Sequence, residues 1–139
     1  MKRGFTIIEI TTVVLVLMIL VVIAVPSFLR SRSVANEGIA MANLKVLSDA
    51  CQLYRTNKNI YPQSLSDLVP PASNPTYIDP ILASGTKQGY NFVYSRNDEG
   101  FSIRANPQSL GRYYYIDETG NMRVNATEEA GASDAAAQQ

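Results

Sequence analysis

The pattern of apolar and polar positions changes abruptly along the chain. Every residue from 13 to 25 is apolar, and the wider stretch 5–29 contains one charged residue, Glu9. A helix that spans a bilayer needs about 20 mostly apolar residues, so this stretch is long enough. A secretory signal peptide fits less well, because its apolar core has about 7–15 residues and a small-residue cleavage site follows it. The pattern therefore predicts a membrane helix over residues 5–29.

The next stretch, residues 30–56, predicts an amphipathic continuation of that helix. Pro26 removes one backbone hydrogen bond and clashes with the preceding turn, so we expect a kink there. Beyond it, apolar residues recur at helical spacing and are expected to pack as one stripe on a folded body: Val34, Ala35, Ile39, Ala42, Val46, Ala50 and Leu53. Polar residues, including Glu37, are assigned to the other side. Cys51 lies near the stripe and should be a small buried side chain.

Residues 57–124 predict a small globular domain built on a sheet. Strands are expected over residues 90–95, 101–105, 112–116 and 121–124. Their short links favour an antiparallel meander. Residues 125–139 contain no aromatic or large aliphatic side chain, and we expect this tail to be disordered. The predicted fold class is α+β, with a long kinked N-terminal helix packed on a small antiparallel sheet.

Composition removes several classes of function. The 139 residues contain 12 Lys+Arg, 12 Asp+Glu, no His and one Cys. A zero net charge argues against a nucleic-acid binder, because such proteins neutralise phosphates with excess cations. Without His there is no Ser-His-Asp or Cys-His nucleophile, and the common structural zinc sites are also absent. We therefore expect neither an enzyme nor a cofactor.

Acidic residues in two predicted turns raise the question of calcium. These are Asp98, Glu99, Asp117 and Glu118. Turn carboxylates are usually solvated or bonded to nearby backbone, and that interpretation is favoured here over a calcium site.

The first residues carry a resemblance to a known family. The segment Lys-Arg-Gly-Phe-Thr-Ile-Ile-Glu-Ile, residues 2–10, resembles the prepilin leader motif of the type IV pilin superfamily, which includes type IV pilins and type II secretion pseudopilins. The resemblance implies that residues 1–4 are a leader, cleaved between Gly4 and Phe5 by a prepilin peptidase that then N-methylates Phe5. It also implies that Glu9 serves assembly and that Pro26 is the helix-bending proline of many pilins.

A physical argument supports the role implied for Glu9. Cleavage would leave a positively charged amine on Phe5, one helical turn before Glu9. In a filament core without water, that amine can neutralise the carboxylate of a neighbouring subunit, although desolvation offsets much of the attraction. Such a pair is better suited to fixing the axial register of subunits than to adding net stability.

The resemblance implies a structural subunit of a type IV pilus-like filament, polymerised through its N-terminal helix. Lys2 and Arg3 are balanced by Arg30 and Arg32, so charge alone leaves the orientation open. The leader motif places the C-terminal part outside the cytoplasm, first at the inner membrane and then in a periplasmic or cell-surface filament. The implied partners are copies of the chain, other pilin-like subunits, prepilin peptidase, membrane lipid, and an inner-membrane assembly platform with its ATPase.

Two alternatives stay open. One is a pseudopilin of type II secretion, and the other is a membrane-anchored extracytoplasmic binding domain that keeps residues 1–4. Many type IV pilins close a C-terminal loop with two Cys, whereas this chain has only Cys51. The major pseudopilin pattern includes an Asp-Pro-Trp-Gly segment and acidic calcium ligands, whereas this chain has no Trp. The first departure counts against a pilin and the second against a pseudopilin, and the pilin is slightly favoured.

Overall fold

The computed structural model describes residues 4–98, 100–128 and 130–136. The chain forms two compact units, Met1–Val34 and Ala35–Gln139. Helix α1, Ile7–Lys58, contributes to both units and contains Pro26. The long N-terminal helix predicted from the sequence is therefore confirmed, with ends within two residues of those expected.

In the first unit, residues 13–25 of α1 are all apolar and all exposed. Val, Leu, Ile and Met make up this run apart from Ala24, and the chain has no glycine between residues 5 and 37. Except where Pro26 lacks an N–H, a helix pairs its backbone groups within itself, which is what apolar surroundings require.

The second unit packs the remainder of α1 on an antiparallel sheet. A 3₁₀ turn, Leu65–Leu68, and a short helix α2, Pro80–Ala83, precede the sheet. The strands are β1 Thr86–Lys87, β2 Tyr90–Arg96, β3 Phe101–Pro107, β4 Tyr113–Asp117, β5 Met122–Asn125 and β6 Ala135–Ala136. Their order in the sheet is their order in the chain. The α+β fold class is confirmed.

The core of the second unit lies between one face of α1 and one face of the sheet. Side chains alternate across each strand, so that Phe101, Ile103 and Ala105 of β3 all point inward. From α1 come the buried residues Ala40, Leu44, Leu47, Ala50 and Cys51. Burying these apolar side chains is the main force that holds the sheet to the helix.

The predicted packing stripe of α1 is wrong in most of its members. Ile39, Val46 and Leu53 are 38%, 48% and 52% exposed. The face that packs is the series Glu37, Ala40, Leu44, Leu47 and Cys51, whereas Ala50 is buried as expected. The helix has two apolar stripes in this unit, and the sheet covers the one that contains Leu44 and Leu47. Cys51 is buried, as the sequence predicted.

The tail also differs from the sequence prediction. Within its described part, β6 pairs with β5, and Ala130 is buried. The Asp134 carboxylate accepts a hydrogen bond of 2.6 Å from the Gly131 N–H. The backbone carbonyl of Asp134 accepts one of 3.0 Å from the Arg123 side chain. Backbone and polar contacts, rather than large apolar side chains, hold this segment on the edge of the sheet. Residues 129 and 137–139 lie outside the described residues.

Candidate functional site

The amino end of α1 places Glu9 against Thr6. The backbone N–H and the hydroxyl of Thr6 each donate a hydrogen bond of 3.2 Å to Glu9 Oε2. In return, the Glu9 N–H donates a hydrogen bond of 3.3 Å to the Thr6 hydroxyl oxygen. This reciprocal arrangement is a capping box, in which the residue before the helix and the third residue of the helix satisfy each other's N–H groups. The carboxylate therefore sits at the positive end of the helix dipole.

The predicted processing residues lie beside that carboxylate. Gly4, Phe5, Thr6 and Glu9 line one shallow cleft, and the Phe5 side chain is exposed. Residues 1–3 of the predicted leader are outside the described residues. Pro26 lies inside α1, 17 residues after Glu9, so it is not part of this cleft. Cleavage, methylation, the assembly role of Glu9 and the kink at Pro26 all stay predictions.

The apolar run that follows Glu9 has no partner within its unit. Residues 13–25 are all exposed and carry no charge. A large exposed apolar surface of this kind marks a membrane or protein contact. Among the described residues, α1 is the one helix that is long and apolar enough to cross a membrane.

Three hydroxyl groups near this run are bonded to the helix itself. The hydroxyls of Thr11 and Thr12 donate to the Ile8 carbonyl at 3.0 and 2.7 Å, and Ser31 donates to the Ser27 carbonyl at 3.0 Å. A hydroxyl that is paired inside its own helix can enter an apolar environment at a small cost. These contacts fit a helix that is covered by lipid or by other helices.

The second unit contains a buried carboxylate that the sequence analysis assigned to the polar side of α1. Glu37 is only 7% exposed. Its Oε2 accepts from Arg112 Nε at 3.0 Å and from the Tyr114 hydroxyl at 3.2 Å, and Arg112 Nη2 lies 2.9 Å away. The bond to Glu37 raises the pKa of the Arg112 guanidinium. The network ties α1 to β4 and to the residue just before it.

A sequence signal for this burial did exist. Glu37 lies in helical register with Ala40, Leu44, Leu47 and Cys51, which all face the sheet. A carboxylate in register with a buried series requires a cationic partner. Nothing in the spacing along the chain, however, points to Arg112, which is 75 residues away.

Burial is the main cause of the raised pKa values of Cys51, Tyr90 and Tyr94 in this core. It raises the pKa of the Cys51 thiol to about 12. It also raises the pKa of Tyr94, whose hydroxyl donates to the Pro62 carbonyl at 2.6 Å, and the pKa of Tyr90, which donates to the Arg112 carbonyl at 3.0 Å. These groups are neutral in the folded unit, so none of them is an activated nucleophile.

The acidic turns do not form a metal site among the described residues. No group of three or more Cys, Asp or Glu side chains comes together there. The Asp117 carboxylate accepts from the backbone N–H of Thr119 at 3.0 Å and also from its hydroxyl, so it is used within its own turn. Glu99 is outside the described residues. The absence of a cofactor stays a prediction.

Comparison with known proteins gives one consistent set of relatives. Type II secretion system core protein G of Escherichia coli K12 is 28% identical over 89 residues, which are 64% of this chain and 61% of that protein. The protein of the same name from Vibrio cholerae is 33% identical over 77 residues, 53% of each chain. The one from Pseudomonas aeruginosa is 31% identical over 89 residues, 64% of this chain and 62% of that protein.

The matches cover only part of each protein. The chain spans between about half and three fifths of the length of these curated relatives. No protein-family model matches the chain, and no solved structure matches it significantly. Helix α1 is long and apolar enough to serve as a membrane anchor. The resemblance seen in the amino-terminal sequence is confirmed: the relatives of this chain are type II secretion pseudopilins, which are proteins of the type IV pilin kind.

Proposed function

We propose that this chain is a structural subunit of a pilin-like filament that serves type II secretion. It is anchored in the inner membrane by one helix, with the second unit on the extracytoplasmic side. A prepilin peptidase removes residues 1–4 and methylates Phe5. An assembly platform and its ATPase then move the subunits from lipid into the filament, where copies of this chain pack with one another and with other pilin-like subunits.

The observation that carries this proposal is the exposed, uncharged run of residues 13–25, which begins about one helical turn after Glu9. Such a helix cannot remain in water, because its apolar surface has to be covered by lipid or by other helices. A lone carboxylate at the start of the run is costly in either environment unless a cation meets it. The free amine created at Phe5 by cleavage would supply that cation.

The names of the relatives favour secretion over a surface pilus. All three relatives described above are named as type II secretion proteins. This reverses the slight preference for a pilus that the sequence alone suggested. The pilus remains the second candidate, because a pilus subunit and a pseudopilus subunit need the same anchor and the same type of helix.

The intact mass of protein purified from its own membrane tests the processing step. We expect a chain that starts at Phe5 and carries one added methyl group on its amine. A mass that still includes residues 1–4 would contradict the proposal and would support the membrane-anchored binding domain instead. A Gly4→Leu variant is the matched control, and it should keep the unprocessed mass.

Deletion of the chain tests which filament it serves. Loss of secreted proteins from the medium, with no loss of surface fibres, is the result expected for a secretion subunit. Loss of long surface fibres with normal secretion would support the pilus. An unchanged phenotype for both would contradict a filament function in this cell.

A further inference from the structure

Two loops of the second unit lie beside the part of α1 that contains Glu37. Arg112, just before β4, pairs with the Glu37 carboxylate at 2.9 Å. A Cβ added at Gly89, in the turn between β1 and β2, would lie 3.5 Å from Asn36 Nδ2. The Gln108 N–H donates to the Gly89 carbonyl at 2.9 Å, which joins the two loops. The β1–β2 turn, the β3–β4 loop and the adjoining residues of α1 therefore form one end of the unit, which we call the proximal end.

The chain keeps the proximal end close to the membrane anchor. The predicted membrane helix ends at residue 29, so only residues 30–36 separate it from Glu37. At no more than about 3.6 Å per residue, these seven residues span at most about 25 Å, whatever path they take. Within the second unit, α1 continues from Glu37 to Lys58, a rise of about 31 Å, so its last turn lies at the opposite end.

Two exposed apolar side chains adjoin the proximal end. Among the described residues of the second unit, Leu110 and Ile81 are the most exposed large apolar side chains, at 78% and 62%. Leu110 lies in the β3–β4 loop itself. Ile81 lies in α2, and its N–H donates to the Asp79 carboxylate at 3.1 Å. That carboxylate pairs at 2.8 Å with Lys87, which directly precedes the β1–β2 turn.

The charged side chains around these two residues are already paired within the unit. Lys87 is neutralised by Asp79, and Arg112 is neutralised by Glu37. Attraction to anionic lipid requires unpaired cations near the membrane surface. The apolar side chains, rather than these charges, are therefore what the proximal end offers to a membrane.

We propose that Leu110 and Ile81 insert into the lipid surface while the subunit is anchored, so that the proximal end rests on the bilayer. This inference rests on the proposed function, which places the second unit on the extracytoplasmic side of the membrane. Side chains that reach the boundary between headgroups and acyl chains are stabilised because they lose contact with water. Since only two side chains make the contact, it is weak, which suits a subunit that has to leave the membrane for a filament.

Single tryptophans in the full-length chain test the contact. The chain contains no Trp, so an introduced indole can be observed alone. The Leu110→Trp chain would be reconstituted in phosphatidylcholine nanodiscs, with and without bromine on the lipid acyl chains. We expect bromination to lower its emission about twofold or more, because bromine quenches an indole that reaches the acyl region.

Ile60→Trp is the matched control. Ile60 is 50% exposed and follows the last turn of α1, at the end of the unit opposite the proximal end. Bromination should leave the emission of Ile60→Trp almost unchanged. Equal quenching at positions 60 and 110 would overturn the proposal.

A second substitution tests whether Ile81 contributes. Ile81→Ser in the Leu110→Trp chain should weaken the quenching, whereas Ile60→Ser in the same chain should not. Addition of phosphatidylglycerol to the nanodiscs should leave the quenching unchanged, since the charges named above are paired. Quenching that appears only with this anionic lipid would show that charge holds the proximal end, and would refute the apolar contact.

Val22→Trp separates this inference from the proposed function. Val22 lies in the predicted membrane helix, so its indole should be quenched strongly. If Val22→Trp is not quenched, the anchor is wrong and both proposals fail. If Val22→Trp is quenched, and Leu110→Trp is quenched no more than Ile60→Trp, only the lipid contact of the second unit is refuted.

Discussion

At the scale of single residues, the two carboxylates of α1 that the structure highlights have different neighbours. Among the described residues, Thr6 is the one that hydrogen-bonds to the Glu9 carboxylate, and the cleft around it is shallow, so a group outside the subunit can approach its charge. Glu37 is enclosed and bonded to two side chains of the sheet region. The first therefore suits assembly, and the second suits the internal stability of the globular unit.

Two substitutions of Glu9 separate its charge from its role in helix capping. Glutamine can replace glutamate in a capping box but carries no charge. Leucine provides neither the cap nor the charge. We expect both Glu9→Gln and Glu9→Leu to insert in the membrane and to fail in filament assembly. Filaments are measured by electron microscopy of sheared material. Normal filaments from Glu9→Gln cells would mean that capping alone matters and would refute the charge-pairing role.

Substitutions at Arg112 and Glu37 test the buried pair. Arg112→Met leaves the carboxylate with the Tyr114 hydroxyl as its remaining neutral partner, and we expect the free energy of unfolding to fall by about 2 kcal/mol. The double variant Arg112→Met/Glu37→Met removes the charge as well and should lose less than Arg112→Met alone. Urea unfolding of the full chain in detergent, followed by tyrosine fluorescence, measures both values. A double variant less stable than the single one would contradict this account.

At the scale of elements, the sequence predicted the long helix and the four longer strands, because each has a clear period. It missed β1 and β6, which have two residues each and exist only because a neighbouring strand pairs with them. The sequence analysis assigned the wrong stripe of α1 to the core. Both stripes have helical spacing, and the position of the sheet decides which of them is buried. Of the candidate site, the closeness of Phe5 to Glu9 was predictable from local sequence, whereas the contact of Glu37 with Arg112 was not.

Substitution by alanine should have opposite effects on stability at two glycines, one in helix α1 and one in the loop between β3 and β4. Gly38 lies in α1 with open space around it, so Gly38→Ala should raise the free energy of unfolding by about 1 kcal/mol through helix propensity. At Gly111, between β3 and β4, an added Cβ would lie 2.6 Å from the Tyr90 hydroxyl. That hydroxyl donates to the Arg112 carbonyl, so we expect Gly111→Ala to lower the free energy of unfolding by about 1–3 kcal/mol. Urea midpoints of both variants give the comparison, and equal midpoints would contradict it.

At the scale of the whole molecule, the titration of buried groups sets the response of the second unit to alkaline pH. Burial raises the pKa of Cys51 from 9.0 to about 12 and raises the pKa values of Tyr90, Tyr94 and Tyr114 above 10.0. The unfolded chain therefore loses protons first as pH rises. The free energy of unfolding should fall between pH 9 and 12, by at most about 1.4 kcal/mol per pH unit for each group.

Urea midpoints at pH 8, 9, 10 and 11 measure this fall. Cys51→Ala is the control, since it should flatten the part of the curve between pH 9 and 10, where the thiol of the unfolded chain titrates before the tyrosines. Stability that is constant or rises over this range would show that the four groups reach water in the folded unit.

The order of the strands has a consequence for how the molecule is made. Strands that follow one another in the chain are neighbours in the sheet, so no strand has to wait for a distant partner strand. A topology of this kind closes small loops and folds quickly. If the second unit lies on the extracytoplasmic side, as we propose, its hairpins can form one after another while the nascent chain emerges there, which leaves exposed apolar intermediates little time to aggregate.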